Sequence, residues 1–277
     1  MLKERELAHT LRELNIQPKK RLGQNFLIDK NIQQKILRAL DLKKDEPVLE
    51  IGPGLGALTW DICENAKEVT AIEKDKRCYD YLVKQNSYEN LTLINADVLK
   101  YEFTKKYKRS KVVGNLPYYI TTPIISHLIE NRSHVASLYI SIQKEVAKRL
   151  TASAGSKDYG AISCFVQFYT KPRILFNIKK GCFLPAPKVE SSFLELNFYE
   201  EPLYLTNEEK LFKIIRICFN KRRKTILNAL SSSGEFGSKE EVAEALKSAG
   251  IVDRSRPEEI PLEGFVSLVD ILHNIKN

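Results

Sequence analysis

Val48-Leu49-Glu50-Ile51-Gly52-Pro53-Gly54-Leu55-Gly56 carries a short apolar run straight into three glycines. A run of this length, ended by glycine, reads as a buried strand. Glycines at its end let the chain turn sharply into a helix and let a ligand approach the main chain. In open α/β folds that happens at the carboxyl edge of the sheet, where nucleotides bind. A helical pattern over Ala57–Asn65 completes the strand–loop–helix unit.

The unit recurs on either side. Runs at Val69–Glu73, Leu91–Ala96, Lys111–Asn115 and Ser137–Ile142 alternate with helical stretches at Lys76–Gln85, Pro123–Asn131 and Lys144–Ala152. Thr122 and Pro123 read as an N-cap and first-turn pair. Such alternation predicts an α/β fold, a mostly parallel Rossmann-like sheet with helices on both faces. Cys164–Ile178 and Ser192–Phe198 have no clear helix between them and read as an antiparallel pair, giving the sheet an antiparallel final strand. Upstream, Leu7, Leu11 and Leu14 share one helix face and a turn falls at Gly23. Asp29 then caps a helix with Ile32, Ile36 and Leu40 inward. After Glu200-Glu201-Pro202 the pattern is wholly helical, at Asn207–Phe219, Arg223–Ser231, Lys239–Ala249 and Pro261–Ile275. We therefore expect a catalytic domain with an N-terminal helical extension over residues 1–201 and a small all-α domain over 202–277.

Composition excludes several classes. With 277 residues, 43% hydrophobic and 29% charged, the chain buries a substantial core and is not dominated by disorder. No run approaches the roughly 18 apolar residues of a membrane span. The first residues, Met1–Leu14, mix acids and bases where a signal peptide needs a continuous apolar stretch. A cytoplasmic protein without a membrane partner is expected. Five dispersed cysteines without a Cys-x-x-Cys pair, and four scattered histidines, predict neither a disulfide framework nor a protein-built metal site. The net charge of +9 implies an anionic partner. Seven bases and no acid lie between Lys210 and Leu230, including Arg222, Arg223 and Lys224. Six more, against Glu102 alone, lie between Lys100 and Lys111, and Lys19, Lys20 and Arg21 form a third cluster. Charge alone does not separate nucleic acid from a membrane surface; any one cluster fits a solvated surface, three on one chain favour a polyanion, and Arg222, Arg223 and Lys224 are its candidate contacts.

Two acids sharpen the glycine loop. Glu73 ends the second strand 21 residues after Gly52, where a carboxylate can accept hydrogen bonds from both hydroxyls of a ribose. Asp97, in Asn95-Ala96-Asp97, closes the third strand and can accept from an adenine amine, or serve only as a cap. Gly52, Gly54 and Gly56 are spaced Gly-x-Gly-x-Gly and lack the third glycine that a dinucleotide pyrophosphate uses. An acidic lining repels phosphate and suits the cationic S-adenosylmethionine better than NAD, with a dehydrogenase the residual alternative.

Asn115-Leu116-Pro117-Tyr118 ends the fourth strand at the same edge. The tetrad suits methyl transfer to an exocyclic amine of a base. Such an amine has its lone pair delocalised into the ring and is a poor nucleophile. Two acceptors, the Asn115 side-chain carbonyl and the Leu116 main-chain carbonyl, can hold its hydrogens and keep the nitrogen nearer tetrahedral. Pro117 stiffens the turn. Tyr118 can stack on the base, worth roughly 1–3 kcal/mol. Lining up amine, methyl carbon and sulfonium then supplies most of the acceleration, with no strong general base. The tetrad has no cysteine, which argues against covalent attack at a ring carbon. Phe183, in the Pro-rich segment before the last strand, is a candidate second platform for a base lifted from its stack.

Taken in order, Lys20–Leu27, Gly52–Gly56, Glu73, Asp97, Asn115–Tyr118, Phe183–Ser191 and Arg222–Thr225 resemble the KsgA-type small-subunit rRNA adenine dimethyltransferases along nearly the whole chain. The resemblance implies a class I methyltransferase fold and S-adenosylmethionine as donor. It implies, as substrate, two adjacent adenosines in the 3′-terminal hairpin loop of 16S rRNA, each dimethylated on its 6-amino group in the immature 30S subunit late in assembly. It places cofactor contacts at Asn25, Leu27, Gly52, Glu73, Asp97 and Asn115, and the base sandwich at Tyr118 and Phe183. Ala161 departs from the larger residues of some members without touching a proposed role. The cousin Erm-type enzymes modify one adenosine of 23S rRNA; Pro53 and the Phe183–Ser191 segment favour the small-subunit side. A non-catalytic RNA-binding assembly factor is the alternative of a different class. A monomer is expected.

Overall fold

A computed structural model describes residues 4–14, 24–103 and 109–273, in two units. The first comprises Met1–Ala147 and Arg173–Phe198, the second Lys148–Pro172 and Tyr199–Asn277. The basic cluster Lys19–Arg21, the turn at Gly23, and Lys105, Lys106 and Lys108 lie outside the described residues.

In chain order the elements are α1 (Glu4–Glu13), β1 (Phe26–Leu27), α2 (Lys30–Leu40), β2 (Pro47–Ile51), α3 (Thr59–Asn65), β3 (Glu68–Glu73), α4 (Lys76–Gln85), β4 (Leu91–Asn95), β5 (Ser110–Asn115), α5 (Thr121–Glu130), β6 (Val135–Gln143), α6 (Lys144–Leu150), α7 (Ala161–Tyr169), β7 (Thr170–Ile178), β8 (Phe183–Leu184) and β9 (Ser191–Phe198). Then come α8 (Glu208–Asn220), α9 (Ile226–Ser231), α10 (Lys239–Ser248) and α11 (Leu262–His273).

Strands β2 to β6 pair in parallel, and β9 runs antiparallel to β6. The sheet order is β4-β3-β2-β5-β6-β9-β7, the mostly parallel Rossmann-like sheet read from the sequence. Its central strands are buried on both faces, which is why they read as continuous apolar runs: Val69 and Ala71 are fully buried, as are Val112 and Val113. The chain leaves β2 toward β3 and β4, then returns to β5 on the other side. Strand order therefore reverses between β2 and β5, and a crevice opens there at the carboxyl ends.

Local chemistry fixes the helices around that crevice. Asp29 caps α2 by accepting from the Ile32 N–H at 3.0 Å, as its position predicts. Ile36 and Leu40 are buried beneath the sheet. Buried Gln33 donates to the Ala57 carbonyl and to Asp61, tying α2 to the turn that follows the glycines. Leu11 and Leu14 pack with Leu55 and Cys78, as the helix face predicts. Helix α5 starts two residues earlier than expected, and Thr122 is not its cap. Ile120 precedes it with no side-chain cap, and Thr121 Oγ1 instead donates to the Pro117 carbonyl at 3.2 Å.

Within the second unit, α7 corrects the reading of Cys164–Ile178 as strand throughout: its first half is helix, and only Thr170–Ile178 is extended. The segment AISCFVQFY is apolar nearly all round, so periodicity could not separate strand from helix. Cys164 and Phe168 are buried with Leu211, Ile215 and Cys218 of α8 and with Phe265 of α11. Phe165 and Phe168 also meet Phe212 edge-on, at centroid distances of 5.3 and 5.4 Å. That packing draws Lys148–Pro172 into the second unit, which a single cut at residue 202 does not anticipate. Helix α9 begins at Ile226, capped by Thr225, so Arg222, Arg223 and Lys224 stand in the turn before it and not in a helix from Arg223.

Candidate active site

The crevice between β2 and β5 holds a cavity of about 330 Å³, within the range of small-molecule sites. Asn25, Leu27, Gly52, Gly54, Glu73, Asp97, Asn115 and Pro117 line it. Residues drawn from five separate stretches of sequence thus meet in one place.

The glycine loop forms its floor. Gly52 has φ +69° and open space where a Cβ would stand, so main chain there is accessible to a ligand. Gly54 has φ +61°, and a Cβ would come within 3.1 Å of the Phe26 ring. Both positions exclude other residues, the first by conformation and the second by conformation and space. Gly54 N–H donates to Glu73 Oε2 at 2.9 Å, latching the loop to the end of β3. Glu73 Oε1 accepts from the Asp75 N–H at 2.7 Å. Burial raises the Glu73 carboxyl above its ordinary value, and the bonds from Asp75 and Gly54 oppose that rise.

Asp97 does two jobs at once. Its Oδ1 caps the following turn by accepting from Leu99 N–H at 3.1 Å, and its Oδ2 pairs with Lys74 at 2.7 Å. Burial raises this carboxyl, but the Lys74 hydrogen bond and charge outweigh it and hold the group below its ordinary value. A carboxylate oxygen has two lone pairs, so an adenine amine can still be accepted beside Lys74.

At the end of β5, Asn115 Nδ2 donates to the Asn25 carbonyl at 2.7 Å. This bond orients the amide and leaves Oδ1 as the acceptor. Leu116 is buried and its N–H donates to the Ser141 carbonyl at 3.2 Å, setting the direction of the peptide that follows. Leu116, Tyr118 and Phe183 do not line the cavity. Tyr118 is half-buried, its hydroxyl 2.6 Å from Ser191 Oγ. The ring at the cavity mouth is Tyr119, 52% exposed, which the sequence reading passed over. Phe183 is enclosed: β8 pairs with β1, placing Phe183 opposite Leu27, and it is only 3% exposed among Ile36, Phe193 and their neighbours. In this arrangement it is a core ring and not an open platform.

Two further residues of the cavity wall escaped the sequence reading. Gln24 Oε1 and Glu50 Oε2 are buried without a hydrogen-bond partner. Glu50 is 3% exposed; burial, with the charge of Glu73 adding, pushes its carboxyl up to about 7. An acid inside an otherwise apolar strand was the available signal. Two orphaned acceptors, the acidic wall and the open main chain at Gly52 fit a ligand rich in N–H groups and positive charge. S-adenosylmethionine has that chemistry.

In the second unit, Arg223, Lys224 and Lys239 line a groove with Asn228, Ser231 and Ser238. Arg222 is differently placed: it lies 3.5 Å from Glu258 and donates to the Lys157 carbonyl at 2.5 Å. The sequence triplet therefore divides, and Lys239 joins its outward members. Among the described residues no cluster of three or more His, Cys, Asp or Glu is placed to hold a metal, and no helix is long and apolar enough to cross a membrane.

The family model of ribosomal RNA adenine dimethylases matches residues 15–274. The ribosomal RNA small subunit methyltransferase A of Lachnoclostridium phytofermentans is 45% identical over 263 residues, 91% of either chain. That of Clostridium acetobutylicum is 40% identical over 277 residues, 98% of this chain and 100% of the other. Among solved structures, a dimethyladenosine transferase from Plasmodium falciparum superposes with TM-score 0.79 at 28% identity, covering 91% of this chain and 98% of that one. The 23S rRNA methyltransferase ErmE superposes with TM-score 0.72 at 26% identity, covering 90% of this chain and 100% of that one. The architecture is that of a class I methyltransferase with a helical C-terminal domain.

Proposed function

Because the chain belongs to the ribosomal RNA adenine dimethylase family, an rRNA adenine dimethyltransferase using S-adenosylmethionine, we propose that its substrate is a pair of adjacent adenosines in the 3′-terminal hairpin loop of 16S rRNA. It dimethylates both 6-amino groups on the immature 30S particle, as a monomer in the cytoplasm, late in small-subunit assembly. The curated relatives of 40–45% identity carry the small-subunit name, which supports 16S over 23S rRNA.

One observation carries the site reading: the Asn115 amide, anchored through Nδ2 to the Asn25 carbonyl, keeps its oxygen as an acceptor beside a cavity walled by Glu73 and Asp97. When bound, the donor supplies an electrophilic methyl carbon on a sulfonium. Glu73 accepts from the ribose hydroxyls and Asp97 from the adenine amine. Asn25 and Leu27 form part of the donor's wall beside the glycine loop. Asn115 Oδ1 and the Leu116 carbonyl take the two hydrogens of the target amine and concentrate its lone pair toward the methyl carbon. As positive charge develops on that nitrogen, both acceptors bind it more strongly, so their contribution grows toward the transition state. Pro117 fixes the turn, and Tyr118 supplies a face for the base, held at its far end by Ser191. Phe183 packs behind Leu27 and supports the donor wall from the core; as a platform it would have to leave that packing. The groove of Arg223, Lys224 and Lys239 holds RNA phosphates, while Arg222 braces the turn that presents them.

Labelled S-adenosylmethionine offered with immature 30S particles should label the 6-amino group of adenosine in 16S rRNA and not in 50S particles. Asn115→Ala should lower kcat at least about 100-fold at unchanged fold, the scale of removing one preorganised polar partner. Wild-type kcat in that variant, or label in 23S rRNA alone, overturns the assignment. Salt-sensitive particle binding with no donor affinity points instead to a non-catalytic assembly factor.

A further inference from the structure

We infer that Glu50 reads the charge of the cavity's occupant, favouring S-adenosylmethionine over the demethylated product S-adenosylhomocysteine by giving up its proton when the cationic donor enters. The inference rests on the donor assignment and goes beyond it, since Glu50 has no part in the roles described above.

Glu50 sits near the carboxyl end of β2, 3% exposed, on the wall of the cavity, with Oε2 unpartnered. Among the described residues no cation stands beside it, and the Thr59 hydroxyl on α3, which favours the ionised form, does not outweigh burial. Glu73 on β3 is itself an acid. Cys63 on α3 has a thiol that burial pushes up to about 12, so it stays neutral. Across the sheet, β5 presents Val113 at the paired position. A carboxyl so enclosed holds its proton well above the ordinary carboxylate range, because ionising it alone in a dry site is costly.

The donor carries one positive charge more than the product, on sulfur. With the donor in the cavity, ionised Glu50 gains a counter-charge at low dielectric, where the attraction far exceeds its value in water. The carboxyl proton passes to solvent, and no other bond changes. Once the methyl group has left, the sulfonium charge is gone and Glu50 takes a proton back. The product is then held less tightly and exchanges for fresh donor, which each successive methyl transfer requires.

Isothermal titration of the full-length protein with S-adenosylmethionine, and separately with S-adenosylhomocysteine, tests this. Two buffers of different protonation enthalpy count the protons. With the carboxyl at about 7 in the empty protein, donor affinity should rise about eightfold from pH 6.0 to 7.5. At pH 6.5 about 0.8 proton should leave per donor bound. Product affinity should change less than about twofold over the same range. Glu50→Gln should abolish both the slope and the proton release. Parallel slopes for the two ligands, or no proton release from the wild-type protein, overturn the proposal even if that variant does not fold. Undiminished release in Glu50→Gln transfers the proton to Glu73 and overturns it as well. Absence of any binding at every pH removes the donor assignment and Glu50's role together, an outcome distinct from donor binding without proton release.

Discussion

Replacing Glu50 by glutamine keeps size and shape but removes the capacity to ionise, and its effect on stability has a definite pH signature. The unfolded chain ionises this carboxyl near 4.5, whereas the folded protein does so at about 7. Folded and unfolded states are both protonated below pH 4.5, where the residue costs nothing. Between 4.5 and 7 the unfolded chain releases its proton first, and the folded state loses stability steadily. Above 7 the loss is complete. A gap of about 2.5 units at 1.36 kcal/mol each amounts to about 3 kcal/mol. The glutamine variant never incurs it. Any fixed cost of its unpartnered amide is the same at every pH, so the slope is the diagnostic quantity. Urea unfolding of both proteins without ligand, followed by far-ultraviolet circular dichroism at pH 4.5, 6, 7 and 8, gives that slope. The stability of Glu50→Gln relative to wild type should climb by about 3 kcal/mol across the range and level off above pH 7. A difference constant from pH 4.5 to 8 would refute the assignment of Glu50 as a buried acid that holds its proton well above the ordinary carboxylate range.

Glu73→Ala strands the N–H groups of Gly54 and Asp75, each worth about 1–3 kcal/mol when left unpaired, so thermal unfolding should register a loss of at least about 2 kcal/mol. Calorimetry should show donor affinity falling tenfold or more in the same variant. Ser191→Ala and Tyr118→Phe each remove the same 2.6 Å hydroxyl contact, so their costs of about 1 kcal/mol should not add in the double variant; additive losses mean that the two groups act separately. Neutralising Arg223, Lys224 and Lys239 together should reduce the salt slope of 30S binding by about 2 with donor affinity unchanged. Arg222→Ala should instead lower the melting temperature and leave that slope alone, because its guanidinium is turned to Glu258 and the Lys157 carbonyl.

The parts of the site that the sequence discloses are those fixed by strand ends. Gly52, Glu73, Asp97 and Asn115 each close a parallel strand, and parallel strands bring their carboxyl ends to one edge whatever the loops do. Where a side chain's direction depends on a distant partner, that logic fails. Phe183 lies in an extended segment whose orientation is set by pairing with Phe26 and Leu27, more than 150 residues upstream. Asn25 is similar: only the fold reveals that its main-chain carbonyl aims the Asn115 amide, although the family resemblance had marked the position. Helix α7 was hidden because a segment that is apolar on every side carries no usable period. Arg222 and Arg223 are indistinguishable as letters, and it is Glu258 and the Lys157 carbonyl that separate their roles.

Because Lys148–Pro172 leaves the first unit and comes back before Phe198, the helical body is not a bead hung from the end of the string. Protein engineers who wish to move it onto another enzyme cannot simply cut at the proline and carry off the tail. A fragment starting there would arrive with Phe212 stripped of Phe165 and Phe168, a raw oily flank instead of a finished module. Transplantation would have to bring both pieces, and recombination within this lineage faces the same obstacle.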